Sequence, residues 1–193
     1  MKMRLFIAAD INDEQKEEIA GVQSMMKNHI ADARWVRAPA LHITLKFLGE
    51  VEIPVKNIIT LLEHSVHRFG TFKISLDGWG VFPHFRHPRI IWVGIGQGND
   101  ELRALNCKID HAFAENGFDF ANGSSGKNKF LPHVTIGRIR NPTKDTTFSL
   151  QEINDNEFPV IGAADNELNY INLYRSNLSP QGARYKSMAK IHF

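Results

Sequence analysis

The sequence predicts an α+β fold with two similar lobes, mainly antiparallel sheets and helices packed outside them, for three reasons. Short apolar segments typical of strands alternate with amphipathic segments typical of helices. A strand with the pattern His-x-Thr followed by an aliphatic residue occurs once in each half, at His42 and at His133. The predicted strands look like antiparallel pairs, which favours α+β over a doubly wound parallel sheet. We expect residues 1–193 to form a single domain.

The first half of the chain begins with a predicted strand at residues 5–9. Asn12 and Gln15 have the spacing of a capping box, so a helix is expected from there to about residue 28. The first His-x-Thr strand covers residues 41–48 and is expected to end at Gly49. Pro54 fits the first turn of a second helix, which is expected to stop at Gly70. The apolar face of that helix is formed by Ile58, Leu61, Leu62, Val66 and Phe69.

The second half begins with predicted strands at residues 72–76 and 89–95, separated by a loop at residues 78–88. Apolar residues at helical spacing predict a third helix at residues 100–115. Residues 122–129 are polar and rich in Gly and Ser, which indicates a surface loop. The second His-x-Thr strand covers residues 130–139, and a short helix or turn is expected within 143–157. Strands at 168–174 and 187–193 complete the prediction.

The composition excludes several classes of protein. The formal net charge is only +2, which excludes a strongly basic, histone-like binder but permits a local basic patch. No run of about 18 apolar residues is present, so no membrane span is predicted, and the apolar stretch near the N-terminus is too short for a signal peptide. Cys107 is the single cysteine, so an internal disulfide is impossible and a cytoplasmic location is expected.

The two His-x-Thr segments form the predicted site. Side chains two residues apart in a strand point the same way, so His42 and Thr44 share one face, as do His133 and Thr135. By the same rule Lys46 lies on the face of His42. The opposite face, which packs on the core, carries Leu41, Ile43, Leu45 and Phe47. If the two strands face each other, two imidazoles and two hydroxyls can hold a phosphate and transfer protons around it.

Each motif alone has a simpler interpretation, because a single strand histidine is usually a packed or surface residue and threonine is common in strands. A zinc site is a second alternative, but the motifs pair histidine with threonine rather than with another histidine or cysteine at ligand spacing. We therefore expect neither a metal nor a cofactor. The aromatic residues that could stack a nucleobase are Phe6, Trp35, Trp79, Phe82 and Tyr185.

Longer segments around the motifs carry a resemblance to a known family. They are residues 4–8, 35–37, 41–50, 88–94, 130–138 and 176–185, of which the third reads Leu-His-Ile-Thr-Leu-Lys-Phe-Leu-Gly-Glu and the fifth Phe-Leu-Pro-His-Val-Thr-Ile-Gly-Arg. In these segments the chain resembles the two-histidine (2H) phosphoesterase superfamily, and more closely the RNA 2′,3′-cyclic phosphodiesterases, historically called 2′-5′ RNA ligases. The resemblance implies a bilobed α+β fold with the motifs facing each other across a central cleft.

The resemblance also implies an activity, the metal-independent hydrolysis of RNA 2′,3′-cyclic phosphate ends to 2′-phosphates. The same site can run in reverse and join ends through a 2′-5′ bond. By resemblance, His42 is the proton donor to the leaving oxygen and His133 is the acceptor from water. Two facing imidazoles suit this chemistry, because attack and departure occur on opposite sides of phosphorus and a histidine pKa of ~6.5 permits both roles. The Thr44 and Thr135 hydroxyls are expected to bind the non-bridging phosphate oxygens.

Arg138 is a further candidate phosphate ligand, because arginine matches phosphate geometry. Its strand parity is that of Val134 and Ile136, so a bulge or a strand end is needed to bring it to the face of His133. Other basic residues would favour polymeric RNA over a small nucleotide if they lie near the cleft. They are Arg34, Arg37, Lys46, Arg140 and Arg184.

Two alternatives to an RNA phosphodiesterase are open at this point. One is a related enzyme that acts on a small cyclic or 2′-5′ linked nucleotide, and the other is a module that binds RNA ends without turning them over. The presence of both histidines and both threonines favours catalysis, since a binding module needs no facing acid and base. The expected partners are RNA ends or nucleotides with a 2′,3′-cyclic phosphate, no membrane is expected, and the protein is expected to be a monomer.

Overall fold

The structure is a computed structural model that describes residues 2–118, 130–155, 161–179 and 182–193. The helices in these ranges are α1 (Asp13–Lys27), α2 (Val55–Val66), α3 (Asn99–Glu115) and α4 (Lys144–Asp155). The strands are β1 (Met3–Asp10), β2 (Ala33–Trp35), β3 (His42–Val51), β4 (Phe72–Ile74), β5 (Leu76–Phe82), β6 (Ile90–Ile95), β7 (His133–Ile139), β8 (Asn166–Leu168), β9 (Tyr170–Ser179) and β10 (Gly182–His192). The loop predicted at residues 122–129 lies outside the described residues.

Most of the strands join one large antiparallel sheet. Seven of the described strands follow the order β10-β9-β1-β3-β7-β6-β5, and β2 pairs with β7. Strands β4 and β8 form a separate two-stranded antiparallel sheet. The predicted α+β class with mainly antiparallel sheets is confirmed. The two motif strands, β3 and β7, are neighbours in the middle of the large sheet and are joined through the pair Ile43 and Val134.

The first three helices form where the sequence predicts them because their apolar residues recur at helical spacing, and α1 also has a side-chain cap. The Asn12 side chain accepts a hydrogen bond from the Gln15 backbone nitrogen at 2.9 Å, which caps α1. Each buried apolar side chain contributes roughly 1.5–3 kcal/mol. The residues that the first three helices bury in the common core include Ile19, Val22, Met26, Ile58, Leu62, Val66, Leu102, Leu105, Ile109 and Phe113.

The large sheet has one apolar face in the core and one face that carries the motif side chains. Ile43 and Val134 are fully buried in the core. The polar motif residues are half-buried on the opposite face, as strand alternation predicts. The four residues are His42, Thr44, His133 and Thr135.

Both motif strands contain a β-bulge at the third residue after the histidine. The bulge residue is Leu45 on β3 and Ile136 on β7 (45 − 42 = 3 and 136 − 133 = 3), because the neighbouring strand skips each of them in its register. An inserted residue reverses the alternation of side chains beyond it. The predicted faces are therefore correct up to the threonine of each motif and wrong after the bulge.

Lys46 and Phe47 consequently lie on the faces opposite to those predicted. The Lys46 side chain is only 8% exposed, and its Nζ lies 2.5 Å from a carboxylate oxygen of Asp110 on α3. Phe47 is 49% exposed, and its ring contacts that of Phe6 on the histidine face. Lys46 therefore links the sheet to α3 and does not contribute a charge to the cleft.

Three predicted boundaries are also wrong. Residues 78–82 belong to β5 rather than to a loop, and Gly80 packs against the indole ring of Trp92 on β6. Gly49 lies within β3, at a φ of 69°, and does not end the strand. Helix α2 ends at Val66, before Gly70. The helix or turn predicted within residues 143–157 is the helix α4, and β9 and β10 are both longer than the predicted tail strands.

Candidate active site

The pairing of β3 with β7 places the two motifs side by side. The strands run antiparallel through the pair Ile43 and Val134, so each motif histidine lies across from the threonine of the other motif. The sequence predicted these residues although the two histidines are 91 positions apart (133 − 42). The site therefore contains two imidazoles and two hydroxyls on one face of a continuous sheet.

Both imidazoles are held by the same kind of hydrogen bond. His42 Nδ1 donates to the carbonyl oxygen of Ala40 at 2.8 Å, and His133 Nδ1 donates to that of Leu131 at 2.7 Å. A carbonyl can only accept, so each Nδ1 carries a hydrogen and each Nε2 is the nitrogen that can gain or lose a proton. The Thr44 hydroxyl donates to His42 Nε2 at 3.0 Å when that ring is neutral.

Burial lowers the pKa of both histidines below the ordinary value of 6.5. The hydrogen bonds to Ala40 and Leu131 oppose this effect, and the charge of Arg138 adds to it at both rings. Both rings are therefore biased towards the neutral form in the free protein. A bound phosphate anion would favour protonation, because an opposite charge nearby stabilises the imidazolium.

Arg138 lies on the histidine face because the bulge at Ile136 reverses the alternation along β7. Its side chain is exposed, and its positive charge lowers the pKa of both histidines. Arg34 on β2 is exposed and is the strand partner of Arg138, so the two side chains leave the sheet on the same face. The bulge that the sequence analysis required for Arg138 is present.

Each histidine is flanked by aromatic side chains from its own half of the sheet. The centroid of the His42 ring lies 5.0 Å from that of Phe6 and 5.2 Å from that of Tyr185. The His133 centroid lies 5.1 Å from that of Phe82. Three of the predicted aromatic residues therefore border the site.

The two remaining aromatic candidates have other packing partners. Trp35 packs over Gly137, and Trp79 packs against Phe85. The aromatic residues at the site that the sequence analysis missed are Phe47, Trp92 and Tyr174. Their faces depend on bulges and strand register, which single-sequence patterns do not show.

Comparison with known proteins identifies the family. The model of the 2′-5′ RNA ligase superfamily matches residues 12–166, a range that contains both motifs. The chain belongs to this superfamily. The resemblance inferred from the motif segments is confirmed.

Several relatives match this chain along nearly its whole length. The RNA 2′,3′-cyclic phosphodiesterase of Thermotoga maritima is 33% identical over 193 residues, covering 99% of this chain and 96% of the relative. That of Methanocaldococcus jannaschii is 34% identical over 189 residues, covering 95% and 97%. The structure of Escherichia coli LigT complexed with 3′-AMP aligns with a TM-score of 0.75 and 26% identity over 100% of this chain and 99% of that one. These relationships identify the chain as an enzyme and support two-histidine phosphoesterase activity.

The protein also has a polar network beside His42 that the sequence analysis missed. Asp10, at the end of β1, is the strand partner of His42. The Asp10 carboxylate accepts hydrogen bonds from the Tyr174 hydroxyl and the Asn172 amide, each at 2.7 Å, and the Tyr170 hydroxyl lies 3.5 Å away. Burial, together with the hydrogen bond to Asp10, raises the pKa of Tyr174 above its ordinary value. Only the register of β1 against β3 could have indicated this network.

Within the part of the chain that the structure describes, no group of three or more His, Cys, Asp or Glu side chains is arranged to hold a metal ion. No helix in the described ranges combines the length and the apolar character needed to cross a bilayer. Of the remaining predicted basic residues, Arg37, Arg140 and Arg184 are exposed.

Proposed function

We propose that the protein hydrolyses RNA 2′,3′-cyclic phosphate ends to 2′-phosphates without a metal ion, with His42 as proton donor and His133 as proton acceptor. The observation that carries this proposal is the matched pair of imidazoles, each with Nδ1 fixed by a backbone carbonyl and Nε2 left for proton transfer. The relatives named RNA 2′,3′-cyclic phosphodiesterase support the choice of substrate.

The proposed reaction uses an acid and a base on opposite sides of the phosphorus. His133 Nε2 takes a proton from water as the water oxygen bonds to phosphorus. His42 Nε2 gives its proton to the 3′-oxygen as the P–O3′ bond breaks, which leaves a 2′-phosphate and a 3′-hydroxyl. A positioned acid or base contributes ~10²–10⁴-fold to such a rate. In the 2′-5′ ligation direction a 5′-hydroxyl takes the place of water.

Thr44, Thr135 and Arg138 are the proposed ligands of the non-bridging phosphate oxygens, where negative charge must be stabilised. The Thr44 hydroxyl bonds His42 Nε2 in the free protein, and it becomes available to the phosphate once that nitrogen is protonated. Arg34 and Arg138 are strand partners, so two basic side chains leave the sheet on the same face, which suits a polyanion. This pair favours RNA over a small nucleotide.

Phe47 is the proposed support for the terminal base. Its half-exposed ring lies beside the buried ring of Phe6 and offers a flat apolar surface on which any base can stack. The LigT complex with 3′-AMP supports nucleotide recognition by this fold. The monomeric state and the cytoplasmic location inferred from the sequence are part of the same proposal.

An oligoribonucleotide that ends in a 2′,3′-cyclic phosphate tests the function directly. It is incubated with the protein in excess chelator, and the product end is identified. We expect a 2′-phosphate. A 3′-phosphate would overturn the choice of leaving oxygen, and loss of activity in chelator would overturn metal independence.

Histidine variants test the two roles in the same assay. His42→Ala and His133→Ala should each lose at least ~10²-fold in turnover, the low end for one acid or base. His111→Ala is the matched control, because that imidazole is 74% exposed on α3 and pairs with Glu115. A variant of either motif histidine that keeps nearly the full rate would contradict the role of that residue.

A further inference from the structure

We propose that Asp10 is a positioning residue that raises the proton affinity of His42 and so favours the acid role for His42 and the base role for His133. The proposal rests on the proposed function, in which one imidazole donates a proton and the other accepts one. The two rings are held alike, each through Nδ1 to a carbonyl two residues earlier. A group outside the motifs is therefore needed to make the rings chemically different.

The strand neighbours of the two histidines provide that difference. His42 is paired across β1 with Asp10, whereas His133 is paired across β6 with Gly94. Residues directly opposite each other on antiparallel strands project from the same face, so the carboxylate is a neighbour of the His42 ring. Gly94 carries no such group, and a Cβ built there would lie 2.5 Å from the backbone oxygen of Asp77. Close packing of β5 thus excludes a matching carboxylate beside His133.

The Asp10 carboxylate is held in place by neutral donors on β9. The Tyr174 hydroxyl and the Asn172 amide both donate to it at 2.7 Å. Asn172 is only 5% exposed, and its own Oδ1 accepts a hydrogen bond from the Ser187 hydroxyl on β10 at 3.1 Å. Because these donors orient the carboxylate without adding a positive charge, its negative charge still acts on His42.

The other titratable and charged groups around His42 do not supply this effect. From β7, Arg138 and His133 both act to lower its pKa. On its own strand, Lys46 is turned into the core and paired with Asp110. The phenols that face the ring are Tyr174 from β9 and Tyr185 from β10, and the Tyr170 hydroxyl lies 3.5 Å from the Asp10 carboxylate.

Asp10 is the carboxylate that opposes these influences. Burial is the largest cause of the lowered pKa of His42, and the Asp10 charge acts in the opposite direction, together with the hydrogen bond to Ala40. At His133 burial is again the largest cause, and the opposing influence is the hydrogen bond to Leu131. Asp77 lies on β5, one strand further away from His133 than Gly94. Asp10 is therefore a charge that raises the proton affinity of His42 against the effects of burial, Arg138 and His133, and His133 has no corresponding carboxylate among the causes of its pKa shift.

A titration of the two imidazoles by NMR tests this without any substrate. The full-length wild type is compared with Asp10→Asn, which removes the charge, and with Asp10→Glu, which keeps it. Glu50→Gln is the control, because it also removes one carboxylate charge, from the strand of His42 but eight residues further along it (50 − 42). We expect Asp10→Asn to lower the pKa of His42 and to leave that of His133 unchanged, Asp10→Glu to restore most of the difference, and Glu50→Gln to change neither.

The pH dependence of turnover separates this role from a structural one. The alkaline limb of the profile reports loss of the proton from the acid, so Asp10→Asn should move that limb to lower pH and leave the acidic limb in place. On the alkaline limb the rate should fall about tenfold, since an opposite charge nearby typically shifts a pKa by ~1–3. A merely structural role would lower the rate equally at every pH, and that result would overturn the proposal.

The NMR result also overturns the proposal if the pKa of His42 is the same in wild type and Asp10→Asn, or if both histidines shift together. If Asp10→Asn does not fold, Tyr174→Phe is the second variant, because it removes one of the hydrogen bonds that hold the carboxylate. Tyr174→Phe should lower the pKa of His42 by less than Asp10→Asn does. An unchanged pKa of His42 would overturn the proposed role of Asp10. Failure of the proposed function would appear separately, as a wild type without cyclic phosphodiesterase activity.

Discussion

Phe47 and Arg138 occupy equivalent positions, five residues after the histidine of each motif (47 − 42 and 138 − 133). The bulge at the third residue of each motif turns both side chains to the histidine face. One half of the site therefore presents an apolar ring and the other presents a guanidinium. This difference suits a nucleotide, which has a flat base at one end and an anionic phosphate at the other.

Substitution of Arg138 tests its role as a phosphate ligand. We expect Arg138→Ala to lower kcat/KM for the cyclic phosphate roughly 10–100-fold, because a hydrogen bond to a charged group contributes about 1.5–3 kcal/mol. Arg138→Lys should recover only part of the loss, since lysine cannot form two parallel hydrogen bonds to one phosphate. Steady-state kinetics with the cyclic-phosphate oligoribonucleotide measures both effects.

The control for Arg138 is Lys108→Ala, which removes an exposed positive charge from α3. Helix α3 packs on the core side of the sheet, so this variant should keep the wild-type kcat/KM. Equal losses in Lys108→Ala and Arg138→Ala would indicate that only the overall charge matters and would remove Arg138 from the site.

The residues that could be predicted from the sequence are those whose position depends on local alternation. The histidine and threonine of each motif are two residues apart and precede the bulge, so the period of the strand is sufficient. Lys46 and Phe47 could not be placed correctly, because nothing in the sequence marks Leu45 as an inserted residue. Asp10 could not be found, because its contact with His42 depends on which residues pair across two strands.

At the scale of elements, the helices were predicted better than the strands because helix signals are local. The Asn12 cap and the apolar spacing of α1 act within a few residues of each other. Strand β5 was mistaken for a loop because it contains Gly78 and Gly80, which usually indicate turns. Its Gly80 has a packing reason that only the neighbouring strand reveals, since a Cβ there would lie 2.4 Å from the ring of Trp92.

Gly80→Ala tests whether this contact supports the site. Because the added methyl group must displace the Trp92 ring, we expect a loss of about 1–3 kcal/mol in the free energy of unfolding, the usual cost of overpacking. The Trp92 ring centroid lies 6.1 Å from that of His133, so turnover should also fall. Urea unfolding and the cyclic phosphodiesterase assay measure the two effects.

Gly21→Ala provides the matched control for the glycine substitution. A Cβ at Gly21 meets nothing within 4 Å, and the residue lies in the interior of α1. Alanine is therefore expected to stabilise the protein by about 0.5–1 kcal/mol, because it restricts the unfolded chain and favours the helix. If Gly80→Ala proves as harmless as Gly21→Ala, the packing of Trp92 on β5 is not what positions the aromatic residues around His133.

At the scale of the whole molecule, the two motif strands divide the large sheet into two parts. Outward from the central pair, the described strands are β3, β1, β9 and β10 on one side and β7, β6 and β5 on the other, and β2 pairs with β7. In each half a strand and a helix precede the motif strand, as β1-α1 before β3 and β6-α3 before β7. We propose on this basis that residues 1–193 form one domain with two pseudo-symmetric lobes. Since each half supplies one imidazole, neither lobe alone would contain both an acid and a base.

The stability of the whole fold should depend on pH through the two site histidines. Burial lowers the pKa of His42 and His133 in the folded protein, whereas both have a pKa of about 6.5 in the unfolded chain. Below that pH the unfolded state binds more protons than the folded state, so the free energy of unfolding falls as the pH falls towards the folded-state pKa values. Above about pH 6.5 both states are neutral at these positions and the contribution is constant.

Urea unfolding between about pH 5 and pH 7.5 measures this effect against the ordinary histidine pKa. The double variant His42→Gln/His133→Gln should show a shallower decline with acidification than the wild type, whatever its stability at pH 7.5. His111→Gln should decline as the wild type does, because that imidazole is exposed on α3. Parallel curves for wild type and double variant would mean that the motif imidazoles are not desolvated in the folded state. Their bias towards the neutral form, on which the base role of His133 depends, would then be wrong.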